Sequence, residues 1–520
     1  MTQKILVWKI TRLEKIVFLI AIALSISAFF YYFKMDLITA YGDSRAHLNI
    51  SRRVSDSLTP GLAQLGGAWL PLLHFLMLPT IWINYFWKSG ISGSLVNMVS
   101  FIFGSLFIYK LVLSITNQKL NAFIAFLIFS LNVNILYFQA TPMGEVLFIS
   151  TFTIAIFYLY KWASIKRTFY LLVAAIFFAL SSLNRYEGWF VAVGAIIIVL
   201  IYSFFSIGRK KAKATVILFG SLAGLGIFLW LLWQWAIFGD PFDFLHSEYA
   251  AGVNTARDIA AGTVPTYKNI VKSVLTEIYA TIHTSGLILT SLGGASFLLF
   301  LIWPKQNLLK DPQFVLLVTI IPFLFEVLVL YQGKVPTHVP EILINNRVPD
   351  FFNVRYALFH LPALVIFTSI LTREKILLFI ITFLVLINNF MLLSIYSGQI
   401  TALKHSGLIE ENKEQIEILN WFHQNYDGGL VLVSAASLDA LIFQINLEMK
   451  NFVNEGSGIY WKESMDNPRK YSRWVLIQNG GRDSLLRHLN FEALEKQFTL
   501  QKELRGNSKW SYRIYKVKDS

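Results

Sequence analysis

The sequence contains no cysteine, which excludes a disulfide framework, a thiolate nucleophile and any cysteine-liganded metal. Charge is sparse too: 15% of the 520 residues are Asp, Glu, Lys or Arg and 55% are hydrophobic, more apolar material than a soluble core uses. No internal repeat or low-complexity tract interrupts the chain. The formal charge of +14 comes without a nucleic-acid recognition motif, and much of it sits in short loops between apolar runs, where membrane topology accounts for it. No nucleic-acid partner is expected.

What the chain has is long apolar runs. Residues 16–33 are uncharged and long enough, at about 1.5 Å of rise per residue, to cross roughly 30 Å of hydrocarbon. No small-residue cleavage site follows, and Tyr31, Tyr32 and Lys34 read as interfacial anchors, so this span is expected to stay. Ten more candidates follow at 95–115, 120–137, 146–160, 169–183, 189–205, 216–238, 282–302, 314–331, 356–371 and 376–396. A further apolar stretch, 69–87, carries Pro71, His74, Pro79 and Asn84. The basic groups Lys4, Lys9, Arg12 and Lys15 place the N-terminus in the cytoplasm, and Lys119, Lys161 with Arg167, Arg209 to Lys213, Lys305 with Lys310, and Arg373 with Lys375 mark cytoplasmic loops. All agree only if 69–87 makes no net crossing, which places it at the outer interface. The expected architecture is an all-α polytopic membrane domain, residues 1–396, with about eleven transmembrane helices and juxtamembrane helices in a first outer loop, 34–94. A small extracytoplasmic α/β domain, 397–520, follows. In that tail 420–425 reads as a helix end, 430–433 and 474–477 as strands and 510–517 as an edge strand.

On this topology four polar segments meet at the outer face, where charge beside hydrocarbon marks candidate functional groups. The first reads Tyr41-Gly-Asp-Ser-Arg-Ala-His-Leu, with Asp43 and His47 one helical turn apart; Asp43 or Ser44 also fits a helix N-cap. Glu145 ends Thr141-Pro-Met-Gly-Glu, where the first helical turn also favours an acid. Arg185 and Glu187 flank Tyr186 in a short turn and suit a mutual ion pair. The loop 332–355 holds Lys334, His338, Glu341, Arg347, Asp350 and Arg355, the last opening a span with Tyr356. An outer arginine runs against the charge bias; it either snorkels from a helix end or forks onto a phosphate.

These motifs resemble the polyprenyl-phosphate-dependent glycosyltransferases of the GT-C fold, particularly the family 39-like mannosyltransferase and aminoarabinose-transferase group. Tyr41 to Leu48 is similar to that group's acidic first-loop motif, Trp69-Leu-Pro-Leu-Leu-His to its interfacial segment, Thr141 to Glu145 to the place of its second carboxylate, and Arg355-Tyr-Ala-Leu to its Arg-Tyr span entry. The second acid here is Glu where many relatives have Asp, and the first loop has Asp-Ser rather than paired acids. The resemblance implies a multi-pass plasma-membrane enzyme that moves a sugar from a polyprenyl-phosphate donor to a glycan, lipid or protein acceptor at the outer face, with inversion. The expected roles are Asp43 as base or orienting group, Glu145 as second carboxylate, and Arg355, Arg347 and Arg185, in that order, as phosphate ligands. His47, Tyr41, Glu187 and Tyr356 are expected to contact acceptor or sugar. A divalent cation, Mg2+ or Mn2+, bridging Asp43 and Glu145 is the one cofactor suggested, although the acids are few for a dedicated site. The alternatives are a transporter or flippase of lipid-linked sugars, which would favour repeated halves and mid-membrane polar sites, and a scaffold whose outer domain binds a partner.

Overall fold

The computed structural model describes residues 11–65, 67–247, 250–302, 308–335, 337–349, 352–371, 375–394, 413–479, 483–505 and 511–518. Lys4, Lys9, Lys305, Asp350, Arg373, Trp510 and the start of the tail at Ser397 lie outside them. A capping box opens the first helix: Thr11 accepts from the Glu14 amide while Glu14 accepts from the Thr11 amide, pairing two amides that a helix start leaves without partners. From it α1 (Arg12–Lys34) runs to α2 (Gly42–Arg53). The stretch of uncertain status forms two short helices, α3 (Leu72–Ile81) and α4 (Asn84–Lys88). Ten residues rise about 15 Å, half the hydrocarbon thickness, so α3 is too short to cross alone.

All eleven expected spans are helical, several of them interrupted. In order come α5 (Ile91–Thr116), α6 (Lys119–Ser130) with α7 (Val133–Phe138), α8 (Glu145–Ile165), α9 (Thr168–Asn184), α10 (Glu187–Ile207), and α11 (Arg209–Ala223) with α12 (Leu225–Phe238). After the short α13 (Asp243–His246) and α14 (Ala251–Ala260) come α15 (Ile270–Ser285), α16 (Leu287–Ile302), α17 (Ile321–Tyr331), α18 (Leu361–Leu371) and α19 (Lys375–Ser394). Two 3-10 segments, Pro312–Ile320 and Val354–His360, lead into α17 and α18. Five helical stretches among the described residues are unbroken and apolar enough to cross: α1, α5, α8, α10 and Pro312–Tyr331. The chain is a multi-pass membrane protein.

The interruptions can be traced to particular residues. Asn132 breaks the span expected at 120–137 by capping α7, accepting from the Asn134 and Ile135 amides and donating to the Thr284 carbonyl. A 43° bend separates α11 from α12 at Gly224. The span expected from 282 instead starts at Leu287, because Gly286 takes φ +84° against Asn388. Of the five unbroken stretches α8 is the most enclosed, buried over 94% of its apolar window against 22% for α1, so the helix that Glu145 opens lies inside the bundle.

The tail forms one five-stranded sheet, order β2-β1-β3-β5-β4, from β1 (Leu430–Val433), β2 (Phe452–Val453), β3 (Ser472–Asn479), β4 (Phe498–Arg505) and β5 (Ser511–Val517). Strands β2, β1 and β3 run parallel, and β3, β5 and β4 antiparallel. The helix end and the first two expected strands are present. The strand expected at an edge is not at one: β5 lies between β3 and β4, and β4 takes the edge. Helices α20 (Lys413–Asn425) and α21 (Ala435–Ile445) cover one face around Phe422, Leu441 and Trp474.

Candidate functional site

Each segment that brings charge to the site is held from behind. Asn97 on α5 donates to the carbonyls of Thr141 at 2.7 Å and Met143 at 2.6 Å, and Asn184 donates to the Gly144 carbonyl at 2.8 Å. These bonds satisfy the buried backbone of the turn that launches Glu145. Gly93 lets that turn approach, since a Cβ there would stand 2.2 Å from Pro142 Cβ. Helix α2 starts from Tyr41, whose side chain makes no cap bond; neither Asp43 nor Ser44 is the N-cap, so the capping reading of the sequence is corrected. The Tyr41 hydroxyl instead donates to Asn353 Oδ1 at 2.8 Å, and Asn353 takes a left-handed conformation (φ +49°) that turns the chain into the segment carrying Arg355.

The four segments converge on two arginines. Arg355 Nη2 lies 2.5 Å from Asp43 Oδ2 and donates to the Tyr356 hydroxyl at 2.9 Å, while its Nε stands 3.1 Å from Glu145 Oε1. Arg185 reaches the same Glu145 oxygen at 3.4 Å and holds Glu187 at 2.8 Å. The guanidinium of Arg355 packs on the rings of Tyr41 and Tyr356, and that of Arg185 on Tyr356 and Phe359. Glu145 is fully buried, whereas the Asp43 side chain is 37% exposed, so Asp43 is the carboxylate that an incoming molecule meets first. Arg355 Nη1 and Glu145 Oε2 are buried and make no hydrogen bond among the described residues. A planar donor and an acceptor with unmet capacity at one place suit a ligand that is anionic on one side and offers a hydroxyl on the other.

The remaining expected residues divide. His47 Nδ1 is 2.8 Å from His74 Nε2, and the His47 ring stacks on Trp69 at 4.3 Å. Burial, with Arg355 and Arg185 nearby, pushes the His47 pKa down to about 3, so the ring is neutral. Burial likewise raises the pKa of Tyr41, with Arg355 opposing it. Arg347 is not brought to the cluster: it is exposed in a tight turn closed by reciprocal backbone bonds with Ile344 and makes no ion pair among the described residues. Sequence reasoning passed over the polar groups behind Arg185. Glu326 on α17 lies near Glu187 and Glu277, and His360 sits 3.4 Å from Glu277. Their signal was visible, since an ionisable residue inside an apolar span is a functional candidate by default.

An apolar groove of about 580 Å³ runs along α3, α9 and α12, lined by Leu62, Leu72, Phe75, Leu183, Leu229 and Trp233. The lining Trp230 and Trp233 cluster with Tyr186, so the groove reaches the turn that carries Arg185. For a metal the arrangement does not fit: Asp43 and Glu145 already share Arg355, a bridging cation would have to displace that guanidinium, and the described residues contain no group of three His, Asp or Glu spaced to hold an ion.

No protein-family model and no curated protein matches the sequence. Among solved structures, the chain is similar to ArnT from Cupriavidus metallidurans bound to undecaprenyl phosphate, with TM-score 0.54 and 10% identity over 95% of this chain and 97% of that one. It is also similar to the Archaeoglobus fulgidus oligosaccharyltransferase in complex with zinc and sulfate, TM-score 0.52 at 11% identity, covering 95% and 72%. The same organism's AglB with an inhibitory peptide and a dolichol-phosphate gives TM-score 0.51 at 12% identity, covering 96% and 74%. At such identities the likeness establishes the fold, a GT-C-type membrane domain followed by a smaller domain.

Proposed function

We propose that this chain is an integral membrane glycosyltransferase that takes a sugar from a polyprenyl-phosphate donor and passes it, with inversion, to a hydroxyl of an acceptor at the outer face of the plasma membrane. The observation that carries this reading is the pair of buried arginines, one with an unpartnered Nη1, beside an apolar groove and an accessible carboxylate. Phosphate is excluded from hydrocarbon while a prenyl chain is not, so a lipid-phosphate sugar suits a groove that reaches the turn carrying one of the arginines. Two of the structural neighbours carry undecaprenyl phosphate and a dolichol-phosphate, lipids of this class. The basic loops at the opposite ends of the helices support a cytoplasmic N-terminus and an extracytoplasmic site. We place the boundary between the membrane domain, 1–396, and the outer domain, 397–520, in the segment before α20.

In the reaction, Asp43 accepts the proton of the acceptor hydroxyl as its oxygen bonds to the anomeric carbon. On the far side the anomeric carbon to phosphate-oxygen bond breaks, and the electron pair stays on the phosphate. That leaving group is already a stable anion, so it needs cations rather than a general acid, and Arg355 and Arg185 supply them. Glu145 holds both guanidiniums in place. His47, neutral beside the arginines, adds hydrogen bonding without charge.

The test is release of polyprenyl phosphate from a radiolabelled lipid-phosphate sugar by the purified protein. Acceptor-dependent release that falls about a hundred- to ten-thousandfold in Asp43→Asn, with donor binding weakened in Arg355→Ala, supports the transferase. No release with any donor, together with movement of the intact lipid across vesicles that is indifferent to Asp43, refutes it in favour of a transporter.

A further inference from the structure

Helix α2 carries Asp43 and His47 on one side, about 40° apart at 100° per residue. On the same scale Arg52, Asn49 and Arg53 lie roughly 180°, 240° and 280° round from Asp43. That far side is gripped by the C-terminal domain. Asn49 Nδ2 donates to the Asp439 carbonyl and to Asp439 Oδ1, each at 2.8 Å, and Arg53 Nη1 stands 3.5 Å from Asp439 Oδ2. Asn49 Oδ1 accepts in turn from Trp87 Nε1 at 3.3 Å. Asn49 is fully buried, so the bonds to Asp439 and Trp87 are what satisfy its amide.

Neighbouring contacts fix the same junction at other points. Lys88 donates to the Phe443 carbonyl at 2.6 Å with its ammonium over the Trp87 ring, and Trp87 meets Phe443 edge to face. One turn beyond α2, Asp56 accepts from the Met449 and Lys450 amides and pairs with Arg52, which also donates to the Ile81 and Trp82 carbonyls that end α3. The helix that presents the proposed base is therefore wedged between the arginine cluster on one side and the outer domain on the other.

We propose that Asp439 is a positioning residue, and that the C-terminal domain sets the rotation and height of α2 and so the place of Asp43 and His47. The domain touches no reacting atom in this scheme; it acts through Asn49 and Arg53. This rests on the transferase reading for its kinetic part, but the mechanical part stands on the contacts themselves. Because alignment of the base with the acceptor is sensitive to shifts on the order of an ångström, loosening the grip lowers turnover more than it lowers donor affinity.

The experiment compares the full-length wild type with Asp439→Ala, Asn49→Ala and the double variant, each also in an Asp43→Asn background. Two readouts are taken, kcat and KM for the lipid-phosphate donor, and amide hydrogen exchange across 45–53. Asp439→Ala is expected to lower kcat about ten- to a hundredfold with little change in KM and to speed exchange in α2 while leaving α8 unchanged. The double variant should be no worse than the poorer single one, and the residual activity of Asp43→Asn should fall no further. Asp439→Asn, nearly isosteric and still able to accept from Asn49, should keep most of the activity because the bonds rather than the charge hold α2, and should the alanine variant not fold, Asn49→Ala carries the same two readouts. Unchanged α2 exchange, or a loss that multiplies with Asp43→Asn, overturns the proposal. A wild type without transferase activity sinks the proposed reaction, and the exchange comparison then still decides whether Asp439 holds α2.

Discussion

Glu145→Gln separates the two things that Glu145 does in the proposed site. Three carboxylates, Asp43, Glu145 and Glu187, face two guanidiniums, Arg355 and Arg185, so the cluster carries a formal charge of −1 before any donor arrives. A donor phosphate that forks onto Arg355 brings its oxygens within roughly 6 Å of the Glu145 carboxylate, and at an effective dielectric of about 20 that repulsion is on the order of 3 kcal/mol. Removing the charge while keeping an amide oxygen that still accepts from the guanidiniums should therefore tighten lipid-phosphate binding, by up to about a hundredfold at 1.4 kcal/mol per tenfold. Turnover should fall at the same time, because an amide holds two arginines less firmly than a carboxylate does. The assay is quenching of the protein's tryptophan fluorescence by titrated polyprenyl phosphate, paired with kcat under saturating donor. Weaker binding in the glutamine variant would refute this reasoning: it would mean that Glu145 orders the arginines more than it repels the phosphate.

Other outcomes follow from individual contacts. Gly93→Ala puts a methyl group against Pro142 and should displace the Glu145 turn, lowering kcat about tenfold or more and stability by roughly 1–3 kcal/mol; a variant with wild-type melting and turnover would show the turn to be free to move. The His47 pKa of about 3 lies below the ordinary 6.5 of the unfolded chain, so unfolding takes up a proton, and the stability linked to this ring is complete above about pH 6.5 and is lost as the pH falls toward 3. His47→Gln should accordingly flatten the fall in Tm between pH 7 and pH 4.5, and an unchanged slope would show that the ring is not held neutral. Leu183→Arg places a charge in the groove and should raise KM for long-chain donors much more than for a short prenyl analogue; an equal effect on both would remove the groove from the donor site. Arg347→Ala, in an exposed turn apart from the cluster, should change neither KM nor kcat by more than about twofold.

The spans were legible because hydrocarbon asks only for length and apolarity, which a sequence displays residue by residue. Two of their interruptions were not, because these depend on distant partners: Asn132 breaks its span at a point where the Thr284 carbonyl is available, and Gly286 turns where Asn388 packs against it. In the tail, the parallel strands β1 and β3 show as short buried apolar runs. Strand β4 reads Phe-Thr-Leu-Gln-Lys-Glu-Leu-Arg, too charged for a central strand, and its place at the edge explains that composition.

The candidate site was legible in part for a related reason. Charge at a lipid boundary needs a partner or water, so Asp43, Glu145, Arg185, Glu187 and Arg355 stood out wherever an apolar run began or ended. The same rule over-reached at Arg347, since a charge in a loop costs little and proximity along the chain to Arg355 does not bring its side chain to the cluster. It was applied too narrowly inside the spans, where Glu326 and His360 are more anomalous than any loop residue. Nothing in the sequence pointed from Asn49 to Asp439, 390 positions away. Each is an ordinary polar residue locally, and only the docking of the outer domain makes one the sole means of satisfying the other's buried amide donors. That is why Asn49 and Asp439 form a sharper test of the structure than Asp43 itself: an acid at the membrane boundary would be expected to matter in many folds, whereas this pair matters only if α2 is held from behind by the outer domain.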